Sequence, residues 1–183
     1  LQYLHSIHPL SPGLQQHLRE ILKQKQLSKK EILLKAGHIS RNIYFIKHGL
    51  LRCFYSKEDI EISSWFMKEG DVIISVESFF LQKASYENIQ ALEDCELFYI
   101  EYKELQHIYQ NFPEFNYVGR VVTEKYYTLS EQRLYAIRMQ RSHERYAYLM
   151  EHLPELILRV PSKYLASYLG ITDVTLSNIK SKL

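Results

Sequence analysis

The sequence predicts an α+β fold: a roll of short strands, then a long unbroken helix, then a closing pair of short helices. Three observations carry this reading. Between Leu27 and about Ile100 the chain divides into β-rich runs roughly ten residues apart. From Glu114 to about Gln140 there is neither proline nor a turn cluster, only Gly119 near the start. Residues 160–180 then place apolar side chains at the offsets that two short, steeply crossed helices need.

In chain order, Pro12-Gly13 opens a helix expected over residues 12–27, with Leu14, Leu18, Ile21 and Leu22 on one apolar stripe. The strand-like runs are 31–34, 42–47, 50–55, 61–67, 72–74, 86–92 and 97–100, punctuated by Gly37, Gly49, Gly70 and the polar segment 56–59. Many short strands at this spacing indicate a β-roll or jelly-roll barrel. Gly49 is expected to mark a tight hairpin or bulge. Residues 102–109 read as a short helix that ends before Pro113, which can open the next one. In the long helix Val118, Val122, Leu129, Ala136 and Met139 fall near one seam, with Tyr126 and Tyr135 at its margin. Twenty-seven residues rise roughly 40 Å, more than a domain of this size covers alone, so the seam is expected to meet a second copy of itself. A further helix at 142–153 leads through Pro154 and Pro161 to the closing pair.

That pair reads as a helix-turn-helix. Leu165, Leu169, Ile171, Leu176 and Ile179 fill its apolar positions, and Ala166 sits where the helices touch and a larger side chain would part them. Gly170 ends the first helix and Thr172 caps the second. The charge distribution points the same way. Residues 1–115 hold 13 basic and 15 acidic side chains against 10 and 6 in residues 116–183, so a net −2 stands against +4 and the excess positive charge lies with the helix-turn-helix. Cys53 and Cys95 sit in apolar strand-like runs and read as buried free thiols in a reducing compartment. Two cysteines cannot build a four-Cys iron–sulfur site within one chain. No apolar run approaches the roughly 18 residues that cross a bilayer, and the first residues lack a signal-peptide layout, so a cytoplasmic protein without membrane contact is expected.

The order of roll, long helix and helix-turn-helix resembles the Crp/Fnr superfamily of transcription regulators over nearly the whole chain. Three stretches carry the resemblance: Tyr44-Phe-Ile-Lys-His-Gly-Leu-Leu-Arg52, similar to the family's hairpin around a glycine; Lys68-Glu-Gly-Asp71, similar to the entry of its ligand cassette; and residues 160–180, similar to its DNA reader. The resemblance implies a cyclic-nucleotide-binding-like β-roll (a double-stranded β-helix or jelly roll) at 1–115, a dimerisation helix at 114–141 and a DNA-binding domain at 142–183. It also implies a homodimer joined through the long helix, double-stranded DNA as partner, and action through RNA polymerase.

Two departures from the family pattern shape the expectations. In cyclic-nucleotide-binding members a Glu meets the ribose and an Arg pairs the buried phosphate charge. Here those positions fall on Ser75, with Glu77 close by, and on Ser85, followed by Tyr86; no Arg occurs between Arg52 and Arg120. Cyclic AMP and cyclic GMP are therefore not expected as effectors, and no cofactor is called for. The candidate effector pocket is Ser75, Glu77, Phe79, Phe80, Ser85 and Tyr86, suited to a neutral or apolar ligand if to any. In the DNA reader, the positions where many members carry an acidic residue and a guanine-reading Arg hold Val174 and Asn178. Asn suits adenine, and Val174 or Thr175 can pack on a thymine methyl. Thr172, Asp173, Ser177, Lys180 and Lys182 complete the candidate DNA-binding set, mostly as phosphate contacts. The family's β-hairpin wing has no counterpart after the second helix.

Catalysis is not expected. A metal-dependent jelly-roll enzyme needs His-x-His with a later Glu and His, and the roll holds only His38 and His48. Neither a Gly-rich phosphate loop nor a Ser nucleophile elbow stands out. A signalling or scaffolding roll that has lost DNA binding is the alternative reading.

Overall fold

Nine helices and eight strands are described in a computed structural model that covers residues 2–58 and 60–182. Leu1, Leu183 and Asp59, the last residue of the expected 56–59 turn, lie outside the described residues. Two short helices, α1 (Gln2–Ile7) and α2 (Pro12–Ile21), come first. Ser11 caps α2 by accepting from the Leu14 N–H at 3.3 Å, and its hydroxyl donates to Glu114 at 2.6 Å. The helix does not run to residue 27. Leu22 is already extended, and residues 23–27 form strand β1 (Lys23–Leu27), paired antiparallel with the last strand of the roll. Its Lys-Gln alternation carries no β signal, so pairing rather than propensity makes it a strand.

The roll comprises β1, β2 (Ile32–Leu34), β3 (Asn42–His48), β4 (Leu51–Lys57), β5 (Ile60–Met67), β6 (Val72–Ile73), β7 (Asn88–Ala91) and β8 (Cys95–Glu101), with helix α3 (Val76–Leu81) between β6 and β7. Two antiparallel four-stranded sheets, ordered β1-β8-β3-β6 and β2-β7-β4-β5, face each other. They enclose a core of Leu27, Ile46, Leu51, Cys53, Ile73, Ile89, Cys95 and Leu97. Of the two readings of Gly49, hairpin or bulge, the hairpin fails because β3 and β4 belong to different sheets, while the β3–β8 register shifts between Ile46 and His48 just before it. Gly49 turns the corner between β3 and β4 at φ +100°, and a Cβ there would stand 2.5 Å from Cys95 Sγ and 2.7 Å from the Asp94 carbonyl. Both the backbone angle and the space demand glycine.

After the roll come α4 (Tyr102–Asn111) and the long α5 (Pro113–Met139). Phe115 and Val118 of α5 are buried with Leu14 and Leu18 of α2, Phe79 of α3 and Leu105 and Ile108 of α4. Further along, the Tyr126 hydroxyl accepts from the Val72 N–H at 2.7 Å and donates to Asp71 at 3.3 Å, which pins α5 to the roll. The expected seam is thus covered only in part by its own chain, with Tyr135 and Met139 exposed. Val118 is used up by the chain's own core, and Leu129 and Ala136 face a groove beside the roll. Met139 is exposed, as are Tyr127 and Leu134 on a different face of the helix.

Helices α6 (Ser142–His152), α7 (Pro154–Arg159), α8 (Ser162–Leu169) and α9 (Asp173–Lys180) complete the chain. Their core of Tyr146, Leu149, Leu156, Val160, Leu165, Ala166, Leu169 and Leu176 is continuous with Leu50, Phe66 and Leu92 of the roll.

Candidate nucleic-acid interface

Helix α8 ends because Gly170 takes the left-handed conformation (φ 67°, ψ 37°). The Ile171 N–H donates to the Ala166 carbonyl at 3.0 Å and the Gly170 N–H to that of Ser167 at 3.1 Å, which closes a Schellman turn. Ile171 then packs on the helical core. Thr172 starts α9: its Oγ1 accepts from the Thr175 N–H at 3.1 Å and lies 2.9 Å from the Thr175 hydroxyl. Leu176 is buried and Ile179 half-buried against α8, fixing which face of α9 looks out. Val174, Ser177 and Asn178, at i, i+3 and i+4, share that open face, and Val174 is 70% exposed.

The other sequence-chosen residues fall around this face. Thr172, Asp173, Lys180 and Lys182 are exposed, whereas Thr175 is half-buried with its hydroxyl held by Thr172. Lys180 reaches back to Ser162 Oγ at 3.4 Å, across the open ends of α8 and α9. Asp173 stands in the first turn, where its charge favours the helix dipole.

Three contacts seat the C-terminal helices on the roll, two through α8 and one through α7, and none was visible in the sequence. A bulge in β5 leaves Ser64 outside the ladder. Beside it the Ser63 N–H donates to Ser167 Oγ at 3.1 Å, and the Ser167 hydroxyl donates to Ser63 Oγ at 2.9 Å. The fully buried Arg52 lies between rings, 4.0 Å from the Phe54 centroid and 3.5 Å from that of Tyr164, and donates to Glu61 at 2.7 Å and Gln90 at 2.9 Å. At the end of α7, Arg159 forks onto two carboxylates of the roll, Glu69 at 2.9 Å and Glu93 at 2.6 and 2.9 Å. The Arg159 guanidinium holds the Glu69 carboxyl down at about 2. The Ser63–Ser167 and Arg159 pairs, 66 to 104 residues apart, are hidden from a local reading.

Within the roll, the six candidate effector residues do not form one lining. Ser75 and Ser85 are buried with their hydroxyls 2.9 Å apart, and Ser85 Oγ also donates to the Glu87 carbonyl at 2.9 Å. Phe79 is fully buried core. Phe80 and Tyr86 are exposed, and Glu77 pairs with Lys83 at the surface. Glu87, not singled out in the sequence, is 8% exposed, and burial pushes its carboxyl above the ordinary range. The buried Ser75–Ser85 pair and Glu87 bring no cation to this part of the roll. Among the described residues no group of three His, Cys, Asp or Glu side chains can hold a metal ion, and no helix is long and apolar enough to cross a membrane.

Residues 24–112 match the family described as the cyclic nucleotide-binding domain. Solved structures extend the likeness over about nine-tenths of the chain. FixK2 from Bradyrhizobium japonicum superposes with a TM-score of 0.76 at 18% identity, over 89% of this chain and 84% of its own. CLP from Xanthomonas campestris gives 0.75 at 15% identity, over 94% and 91%. A CooA variant from Carboxydothermus hydrogenoformans gives 0.69 at 21% identity, over 93% and 78%. The chain shares their fold. At these identities the likeness to the solved structures is one of fold, and no curated protein matches the sequence. The domain match ends before α5, so the reading of α8 and α9 stands on the turn geometry above and on superpositions that span most of the chain.

Proposed function

We propose that the chain is a homodimeric, DNA-binding transcriptional regulator of the Crp/Fnr type that works without cyclic AMP or cyclic GMP. The observation that carries this is the open face of α9, which its own roll leaves uncovered while α8 is held down behind it. A helix presented in this way fits a major groove. Asn178 is placed to read adenine and Val174 to pack on a thymine methyl, with Thr172, Ser177, Lys180 and Lys182 on phosphates. The half-buried Thr175 serves the cap before it serves DNA. The family likeness supports a dimer through α5, and the exposed Tyr127 and Leu134 offer an apolar face for it beside the seam residues that line the groove. The regulator acts by contact with RNA polymerase in the cytoplasm and performs no catalysis.

Independence from cyclic nucleotides rests on the Ser75–Ser85 pair and the buried Glu87, which offer no guanidinium for a phosphate. The test is fluorescence anisotropy with genomic duplexes at two salt concentrations, with and without each nucleotide. Sequence-selective binding that weakens with salt and ignores the nucleotides is expected. Binding that requires either nucleotide overturns the second half of the proposal, and absence of selective binding at any salt overturns the first.

A further inference from the structure

Beside the seating of α8, a groove of about 790 Å³ opens between β5, the roll-facing side of α5 and helices α6 to α8. Its walls are largely apolar, with Trp65 and Met67 from the roll, Leu129 and Ala136 from α5, and Leu153 and Leu156 from the C-terminal helices. The volume is that of a small-molecule site. Its charges are unbalanced. Lys68 is matched by Glu155 at 2.6 Å and Lys125 by Asp71 at 3.6 Å; Glu131 also lines the groove, but neither Arg133 nor Arg145 forms an ion pair with it or with any other carboxylate among the described residues. Arg133 stacks on Tyr168, 3.6 Å from its centroid, and donates to the Tyr168 carbonyl at 2.8 Å. Arg145 donates to the carbonyls of Leu169, at 2.9 Å, and Gln140.

Tyr168 and Leu169 are the last residues of α8, so the two guanidiniums cap a helix C-terminus. That end carries roughly half a negative charge. Arg145 caps the end of α5 at Gln140 in the same way, so the two helix ends leave the guanidiniums an excess of about +1, with the exposed Glu131 the one lining carboxylate that has no ion-pair partner among the described residues. Burial, with Arg145 adding to it, lowers the Arg133 pKa, as an uncompensated cation requires. The exposed Tyr127 and Leu134 do not line the groove, so a second copy seated on them leaves it open.

We propose that this groove binds an amphiphilic organic anion, an alkyl or aryl carboxylate whose apolar body lies against Trp65, Met67 and Leu129 while its carboxylate meets Arg133 and Arg145. The site is distinct from the candidate effector pocket around Ser75 and Ser85, and its existence does not depend on DNA binding. A ligand here touches roll, long helix and α8 at once, and it competes with the α8 carbonyls for both guanidiniums. Occupancy therefore shifts how the helix-turn-helix is held.

Trp65 is the single tryptophan and lies in the wall, so its emission reports occupancy in the intact protein. Titration with decanoate, and with 1-decanol as a neutral body of equal length, tests the assignment. Decanoate is expected to give a saturable emission change and to bind about tenfold more tightly than decanol. Arg133→Gln and Arg145→Gln each weaken decanoate about fivefold or more and leave decanol unchanged, while Arg133→Lys restores part of the loss. Thermal melts establish that each variant is folded, and Arg145→Gln carries the test if Arg133→Gln is not. The proposal is overturned by the absence of a saturable change, by equal binding of decanol, or by variants that bind decanoate as the parent does. It is also overturned if the response disappears as the protein dimerises, since a second copy then fills the groove.

Discussion

Arg159→Ala removes the strongest polar link between the C-terminal helices and the roll, and its cost follows from the geometry. The guanidinium serves Glu69 and Glu93 together, and the three side chains are only 24 to 35% exposed. A Glu69 carboxyl at about 2, against 4.5 ordinarily, corresponds to about 3 kcal/mol of preference for its charged form. Solvent reaching a carboxylate a third exposed cuts this to about 1–2 kcal/mol. Two carboxylates left facing each other bring the expected loss to about 2 kcal/mol, or roughly 4–8 °C in Tm for a chain of this length. The pH dependence has a definite sign. Because the folded carboxyl lies below its unfolded value, the stabilisation is complete above about pH 5 and fades as the pH falls toward 2. Urea unfolding followed by Trp65 emission from pH 7 down to 3 should show the gap between parent and variant narrowing. A gap under about 0.5 kcal/mol at pH 7, or one unchanged at pH 3, refutes the reasoning.

Three further outcomes follow from named contacts. Gly49→Ala strains a φ of +100° and drives a methyl onto Cys95 and the Asp94 backbone, so a loss of about 3 kcal/mol or more is expected in the same unfolding assay. Asn178→Ala should weaken preferred duplexes more than random ones, whereas Lys180→Ala should weaken both and flatten the salt slope by about one; equal losses would deny Asn178 a base-reading role. Leu134→Arg puts like charges across the exposed face of α5 and should yield monomers in sedimentation, whereas Leu129→Arg, on the groove side, should not.

How much of this was legible in the sequence differs by element. The strands at Asn42–His48 and Ile60–Met67 are rich in β-branched and aromatic residues and could be read locally. Lys23–Leu27 could not, because an edge strand with little buried surface needs no apolar alternation. The helix-turn-helix was legible in detail, since Gly170 and Thr172 are local devices with fixed chemistry. The stripe on α5 showed that one face is apolar but not what meets it: Val118 is buried by its own chain, whereas Leu129 lines the open groove. The clasp at Arg159, the stacked Arg52 and the buried Glu87 depend on strands meeting across the roll, and no short-range spacing encodes them.

The central claim is that the outward face of α9 reads DNA sequence, and selection from a library of random duplexes tests it most directly. Parent protein should enrich a two-fold repeated, A·T-rich half-site, and Asn178→Ala should lose the preference at one position in each half. A library that emerges without enrichment, or an identical motif from both proteins, contradicts the account.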